Sequence, residues 1–135
     1  MLGYESFLCH LVGDYWLQNN WMARNKKKDW FPAIVHGIIY TLPFLLLTQS
    51  WLALLVICVT HIIIDHTHIV SKLNQIKNWD FKQETLYLEE SSRTMSSLVF
   101  KDGYTKRPMF IRVWLIIIQD NILHLVINYL SLLYL

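Results

Sequence analysis

Four stretches of the chain are almost free of charge: residues 2–18, 32–47, 51–70 and 109–135. None alternates apolar with polar positions, and each is longer than a strand, so each predicts a helix. The few polar residues inside them fall at helical spacing. His10, Asp14 and Gln18 stand at i, i+4 and i+8, His36 and Tyr40 at i and i+4, His61, Asp65 and His68 at i, i+4 and i+7, and Asp120, His124 and Asn128 again at i, i+4 and i+8. Residues so spaced share one face of a helix. The pattern predicts an all-α protein, a four-helix bundle in which each apolar helix carries a narrow polar stripe; His66 lies off the stripe of its helix.

The boundaries are marked by chemistry. Pro32 sits near a first-turn position, where a missing N–H is tolerated, and Pro43 would kink the second helix if it continues to Leu47. Thr48-Gln49-Ser50 leaves room only for a tight turn, so the second and third helices form an antiparallel αα-hairpin. Residues 19–30, with Arg24 and Lys26-Lys27-Lys28, read as a polar, basic connection. The segment 71–108 holds most of the chain's charge; a short helix is expected within 82–90 and a turn at 101–104.

Composition moves this bundle towards the membrane. At 135 residues the chain makes one domain; 54% of it is hydrophobic and 16% charged, against about 25% charged in an ordinary soluble domain. The second and third apolar helices are each at the lower edge of what crosses a hydrocarbon layer of about 30 Å. Basic residues crowd 24–28 and 72–112 and are missing from the turn at 48–50. The positive-inside rule then places both charged loops in the cytoplasm and the protein in the inner (cytoplasmic) membrane as a multi-pass chain. In that frame the polar residues of all four helices fall in one slab near the cytoplasmic face. Membrane lipid is the expected partner, and self-association is left open. A net charge of +2 without a long basic face excludes nucleic acid as the main partner. Cys9 and Cys58, both in apolar segments, read as small buried hydrophobes, and the N-terminus has no features of a cleaved signal peptide. Gly13 reads as a point of close helix approach.

Imidazole and carboxylate four residues apart project side by side, about 5–6 Å apart at Cβ. That suits joint ligation of one ion or a carboxylate–imidazole hydrogen bond. His10/Asp14, His61/Asp65 and Asp120/His124, with His36 in addition, furnish ligands for one or two divalent ions, zinc first and manganese or iron next. Metal-assisted hydrolysis of a phosphoester, amide or lipid at the membrane surface is the natural reaction. Lys26, Lys72 and Arg112 are candidates to hold a phosphate, and Gln18, Tyr40, His68 and Gln119 to support the ligands. The competing expectation is non-enzymatic: a membrane interaction protein, or one conducting ions or protons, whose His/Asp layer fixes helix register or carries charge.

His10-Leu-Val-Gly-Asp14-Tyr-Trp-Leu-Gln18, then Met22-Ala23, Lys26, His36, His61-x-x-x-Asp65 and Gln119-Asp120-x-x-x-His124, resembles an uncharacterised family of small multi-pass membrane proteins of bacteria and their phages. The likeness covers the apolar regions and not 71–108. The pattern is also similar to that of membrane-bound metal-dependent hydrolases. The resemblance implies a helical membrane protein with a metal site drawn from His10, Asp14, His36, His61, Asp65, Asp120 and His124; it implies no substrate.

Overall fold

The computed structural model describes residues 2–77 and 109–135, and every element in them is helical. They are α1 (Leu2–Leu11), running on into a π-turn (Val12–Trp16), α2 (Asn20–Asn25), α3 (Trp30–Thr41), tightening into a 3-10 turn (Leu42–Leu46), α4 (Trp51–His66), α5 (Ile69–Lys77) and α6 (Met109–Tyr134). The helix expected within 82–90 and the turn at 101–104 lie outside the described residues, as does the side chain of Arg112.

Among the described residues six α-helices stand where four were expected, for local reasons. The basic connection starts a helix because Asn19 caps it, its side chain accepting the Met22 N–H at 2.9 Å. The third apolar run is cut at Thr67, an extended residue (φ −94°, ψ 165°) whose hydroxyl takes the Ile63 carbonyl at 2.6 Å. A threonine that satisfies the preceding turn with its own side chain competes with continued helix. The chain restarts as α5, so the polar segment begins in a helix and His68 leaves the face it would have shared with His61. Pro43 falls where the helix changes type, to the tighter 3-10 form. The hairpin turn is where it was expected, with Ser50 capping α4 through Ala53 N–H at 3.4 Å.

The four longest helices form the body. α3 packs on α4, α6 lies against both α1 and α4, and the π-turn of α1 touches α3; α2 rests on α3 and α5 on α6. At the hairpin-turn end the interior is apolar, built from Cys9, Tyr40, Phe44, Leu54 and Ile57 with Leu47 and Leu132 against them. The Ser50 hydroxyl donates to the Leu135 carbonyl at 2.8 Å, fixing the end of α6 to that turn. Beyond this cluster the interior turns polar: His10, Asp14, His36, His61, Asp65, His124 and Asn128 are all buried. The outside is the reverse. Leu46 is 87% exposed and Trp51 82%, and Leu52, Leu55, Val59 and Ile63 run down the outer face of α4. Among the described residues one helix, Val113–Tyr134, is long and apolar enough to cross a membrane; Trp30–Leu46 and Trp51–His66 are apolar but shorter.

Two glycines set how closely the helices meet. A Cβ on Gly13 would lie 2.7 Å from the Tyr40 ring and 2.9 Å from the Tyr40 carbonyl oxygen, so α1 crosses α3 almost backbone to backbone. A Cβ on Gly37 would overlap the Ile62 side chain of α4. The Tyr40 carbonyl cannot rotate away as a side chain can. Gly13→Ala is therefore expected to destabilise the fold by about 1–3 kcal/mol. Gly3→Ala, whose added Cβ would meet only Tyr129 at 3.9 Å, stays within about 0.5 kcal/mol; urea unfolding of the two variants side by side makes the check.

Candidate metal centre

Three helices deliver four side chains to one point. The π-turn places Asp14: its wide ring closes with Leu17 N–H on the Val12 carbonyl at 2.9 Å, adding one residue to the turn. Insertions of this kind occur mostly where a helix must re-aim a functional residue. Gln18 helps to hold that turn, its amide donating to the Asp14 carbonyl at 2.9 Å. His36 comes from the middle of α3 and His61 and Asp65 from the last turns of α4.

The resulting cluster is tight. His36 Nε2 lies 3.1 Å from His61 Nε2, 3.2 Å from Asp14 Oδ1 and 3.2 Å from Asp65 Oδ2. His61 Nε2 is 3.1 Å from Asp65 Oδ2 and 4.0 Å from Asp14 Oδ1. All four residues are buried, and one donor atom from each lies within 4.8 Å of the others. Four ligands held tetrahedrally about an ion at 2.0–2.1 Å would stand about 3.3–3.4 Å apart. Four of these five separations fall within a few tenths of an ångström of that. A hydrogen-bonded alternative is overcommitted at His36 Nε2, which carries at most one proton and has three partners at hydrogen-bond distance. The cluster could hold a metal ion.

Lys26, at the C-terminal end of α2, already brings a positive charge to the cluster. Its Nζ is 2.8 Å from Asp65 Oδ2 and 3.7 Å from Asp14 Oδ1. The backbone beneath it is fixed by His66, whose Nδ1 donates to the Lys26 carbonyl at 2.9 Å while its ring lies against Trp30, centroids 3.8 Å apart and tilted by 34°. Off the stripe and without an evident partner in the sequence, His66 thus has a definite task. The Nδ1 atoms of His36 and His61 are buried with no hydrogen-bond partner. Packing orients His61 instead: the Tyr40 ring stacks on it at 3.5 Å and 13°.

His10, which the spacing paired with Asp14, joins a different network. Its Nε2 meets Asn121 Oδ1 at 2.6 Å and its Nδ1 meets the Tyr40 hydroxyl at 2.9 Å. The amide oxygen only accepts, so Nε2 carries the proton and Nδ1 accepts from the Tyr40 hydroxyl. That hydroxyl oxygen in turn accepts from Asn128 Nδ2 at 2.6 Å. Both ring nitrogens are thereby used, and His10 is absent from the groups that could hold an ion. It secures Tyr40, and Tyr40 secures His61. Asn121 has no place on the i, i+4 stripe that begins at Asp120. The signal that finds it is a second stripe, Asn121, His124, Asn128 and Ser131, at i, i+3, i+7 and i+10 along an otherwise apolar helix.

The remaining candidates divide. His124 is buried beside the cluster, its ring 4.3 Å from that of His61, with Asp120 one turn away and half-buried. Gln119 turns aside to Asn74 of α5 at 3.3 Å, and His68 and Lys72 are exposed, away from these contacts. No cysteine belongs to either ion-holding group among the described residues; Cys9 donates to the Pro43 carbonyl at 3.4 Å.

Fold and site together define an all-helical protein with a buried imidazole–carboxylate cluster able to hold a cation. The chain belongs to the family described as "Protein of unknown function (DUF3307)", which it matches over residues 4–134. The match takes in the charged segment 71–108 as well as the apolar runs; the description carries neither a membrane assignment nor a hydrolase activity. No curated protein and no solved structure matches the chain.

The Tyr40 hydroxyl ties the His10–Asn128 network into one unit, which makes it separable by mutation. Tyr40→Phe leaves a buried imidazole nitrogen and an amide unpaired and should cost about 1–3 kcal/mol for each group. Combined with His10→Ala the losses should fall short of their sum by about 0.5–3 kcal/mol in a double-mutant cycle on unfolding free energy. Additive losses would show that the two side chains act independently.

Proposed function

We propose that this protein is a membrane-embedded, metal-dependent hydrolase of phosphoesters, with its ion held by Asp14, His36, His61 and Asp65. One observation carries the reading: four donor atoms from three separate elements converge at the spacing of a tetrahedral ligand shell. Two imidazoles and two carboxylates with no thiolate suit zinc, with manganese and iron next. An ion held there would polarise a phosphoryl oxygen and lower the pKa of bound water where its shell of four opens a fifth position to them. Water oxygen bonds to phosphorus, the ester P–O bond breaks, and the water proton leaves with the departing alkoxide. Lys26, once displaced from Asp65 by the ion, is a cation of the right reach to pair with the substrate phosphate.

The membrane setting is supported by the inverted distribution of polarity. A chain that buries carboxylates and imidazoles while exposing Leu46, Trp51 and Leu55 has its solvents exchanged, as expected where lipid surrounds the helices and polar residues face inward. One length supports a crossing outright: the 22-residue span of α6 is about 33 Å at 1.5 Å per residue. The 12 residues of α3 and 5 of its 3-10 extension reach about 28 Å together. α4, at 16 residues, reaches about 24 Å, and the multi-pass arrangement requires the bilayer to thin modestly around it. The basic residues at 24–28 and in 72–112 then face the cytoplasm.

A second reading, a metal-free polar layer that fixes helix register, is favoured by the Lys26 ammonium 2.8 Å from Asp65. Metal analysis of the detergent-purified protein separates the two. The hydrolase reading expects a stoichiometric bound ion that is lost in His61→Ala and Asp65→Ala, together with loss of phosphodiesterase activity towards a chromogenic ester. Protein that binds no zinc and retains a folded helical spectrum supports the polar layer instead. Lys26→Met sharpens the comparison. Removing the competing ammonium should tighten zinc binding by about 10-fold, or 1.4 kcal/mol. The metal-free form meanwhile loses about 3–5 kcal/mol of stability through its uncompensated carboxylates.

A further inference from the structure

Asp65 has a second oxygen, and it faces a second set of ligands. His124 Nε2 lies 3.8 Å from Asp65 Oδ1 and 3.8 Å from Asp120 Oδ2. Both separations are too long for hydrogen bonds, and His124 Nε2 is buried with no hydrogen-bond partner although its residue is only 2% exposed. A buried imidazole nitrogen aimed between two carboxylates and bonded to neither leaves an unmet electrostatic demand. Ligands about 2.1 Å from one ion stand about 3.8 Å apart at an open angle, so His124 Nε2 can share an ion with either carboxylate oxygen at the separations observed. Asp65, Asp120 and His124 form the second group of donor atoms within 4.8 Å of one another.

We infer that the centre is dinuclear, with Asp65 as the bridging carboxylate: Oδ2 towards the ion of Asp14, His36 and His61, and Oδ1 towards a second ion held by Asp120 and His124. The inference rests on the proposed metal site and assigns different work to its halves. The first position has four protein ligands and is closed. The second has three, and Asp120 is 32% exposed, so its free coordination position lies on the open side. Three protein ligands and one vacancy are the mark of an ion that binds water or substrate, and a carboxylate bridge suits the 3.5–4 Å spacing of two-metal phosphoesterases. Charge narrows the substrate class. Asp14, Asp65 and Asp120 bring three negative charges against five positive, from two divalent ions and the Lys26 ammonium. In a site of low dielectric the surplus is met by anionic oxygen at the open position, hydroxide or a phosphate ester.

The test uses the full chain in detergent with manganese alone as the probe. Two ions should bind per chain, giving the exchange-coupled electron paramagnetic resonance signal of a bridged pair. His124→Gln should bind one ion and give the signal of an isolated ion, while Asp14→Asn should weaken the closed position. One ion in the wild type with no change in His124→Gln overturns the second site and leaves the first standing. No bound ion in any form overturns the reading beneath it. Two ions without exchange coupling overturn the bridge. A helical circular dichroism spectrum equal to the wild type's keeps the His124→Gln result free of misfolding.

Discussion

Two carboxylates buried among imidazoles, with one ammonium to meet them, are the constraint around which this structure is arranged. An isolated buried charge is among the most expensive things a fold can contain. Asp14 and Asp65 approach a common point from different helices, so each brings the other's charge with it. Lys26 offsets one of the two, at 2.8 Å from Asp65, and the remaining demand falls on His36 and His61. Almost every local irregularity serves that convergence: the π-turn that presents Asp14, the cap that starts α2 and carries Lys26 inward, and the stack of Tyr40 on His61.

The same constraint explains why helices approach so closely where they do. Gly13 and Gly37 bring α1 and α4 onto α3 on either side of the His36–Tyr40 turn, and that closeness shortens the separations between side chains of different helices to 3.1–3.2 Å. The energy holding the bundle together is divided by position. Apolar packing around Phe44, Leu54 and Ile57 holds the turn end, while hydrogen bonds and ion pairs hold the other end. The outer surface contributes little to either, and its leucines and isoleucines gain their free energy only from an apolar surrounding.

Much of this was legible in the chain. The i, i+4 recurrence of imidazole and carboxylate in runs otherwise without charge marked Asp14, His61 and Asp65, and His36 stood beside them as an unpaired histidine at similar depth, since polar groups at that cost imply one another. The hairpin between α3 and α4 followed from loop length. Helix count was harder, because the stops depend on single side chains: Thr67 closes α4 and Asn19 opens α2 through hydrogen bonds that periodicity does not register. The role of His10 was hidden for a related reason. Its pairing with Asp14 assumed a regular helix between them, and the extra residue in the π-turn frees Asp14 to serve another partner. Lys26 sits in a run of three lysines whose plain reading is a topology signal; the sequence offered it as a candidate to hold a phosphate, and the turn of α2 pairs it with Asp65. Gln119, one residue before Asp120, illustrates phase: a shift of about 100° per residue directs it to Asn74.

The wide turn in α1 has a bearing on how this chain tolerates change in length. A residue removed between Val12 and Trp16 would restore an ordinary helix there. It would also turn the whole amino-terminal stretch about its axis by roughly 100° relative to Asp14. Phe7 or Leu11 would then sweep inward as His10 swung out of reach of Tyr40. Natural or engineered deletions at this place act as a change of phase and so scramble the polar face without altering a single side chain in it.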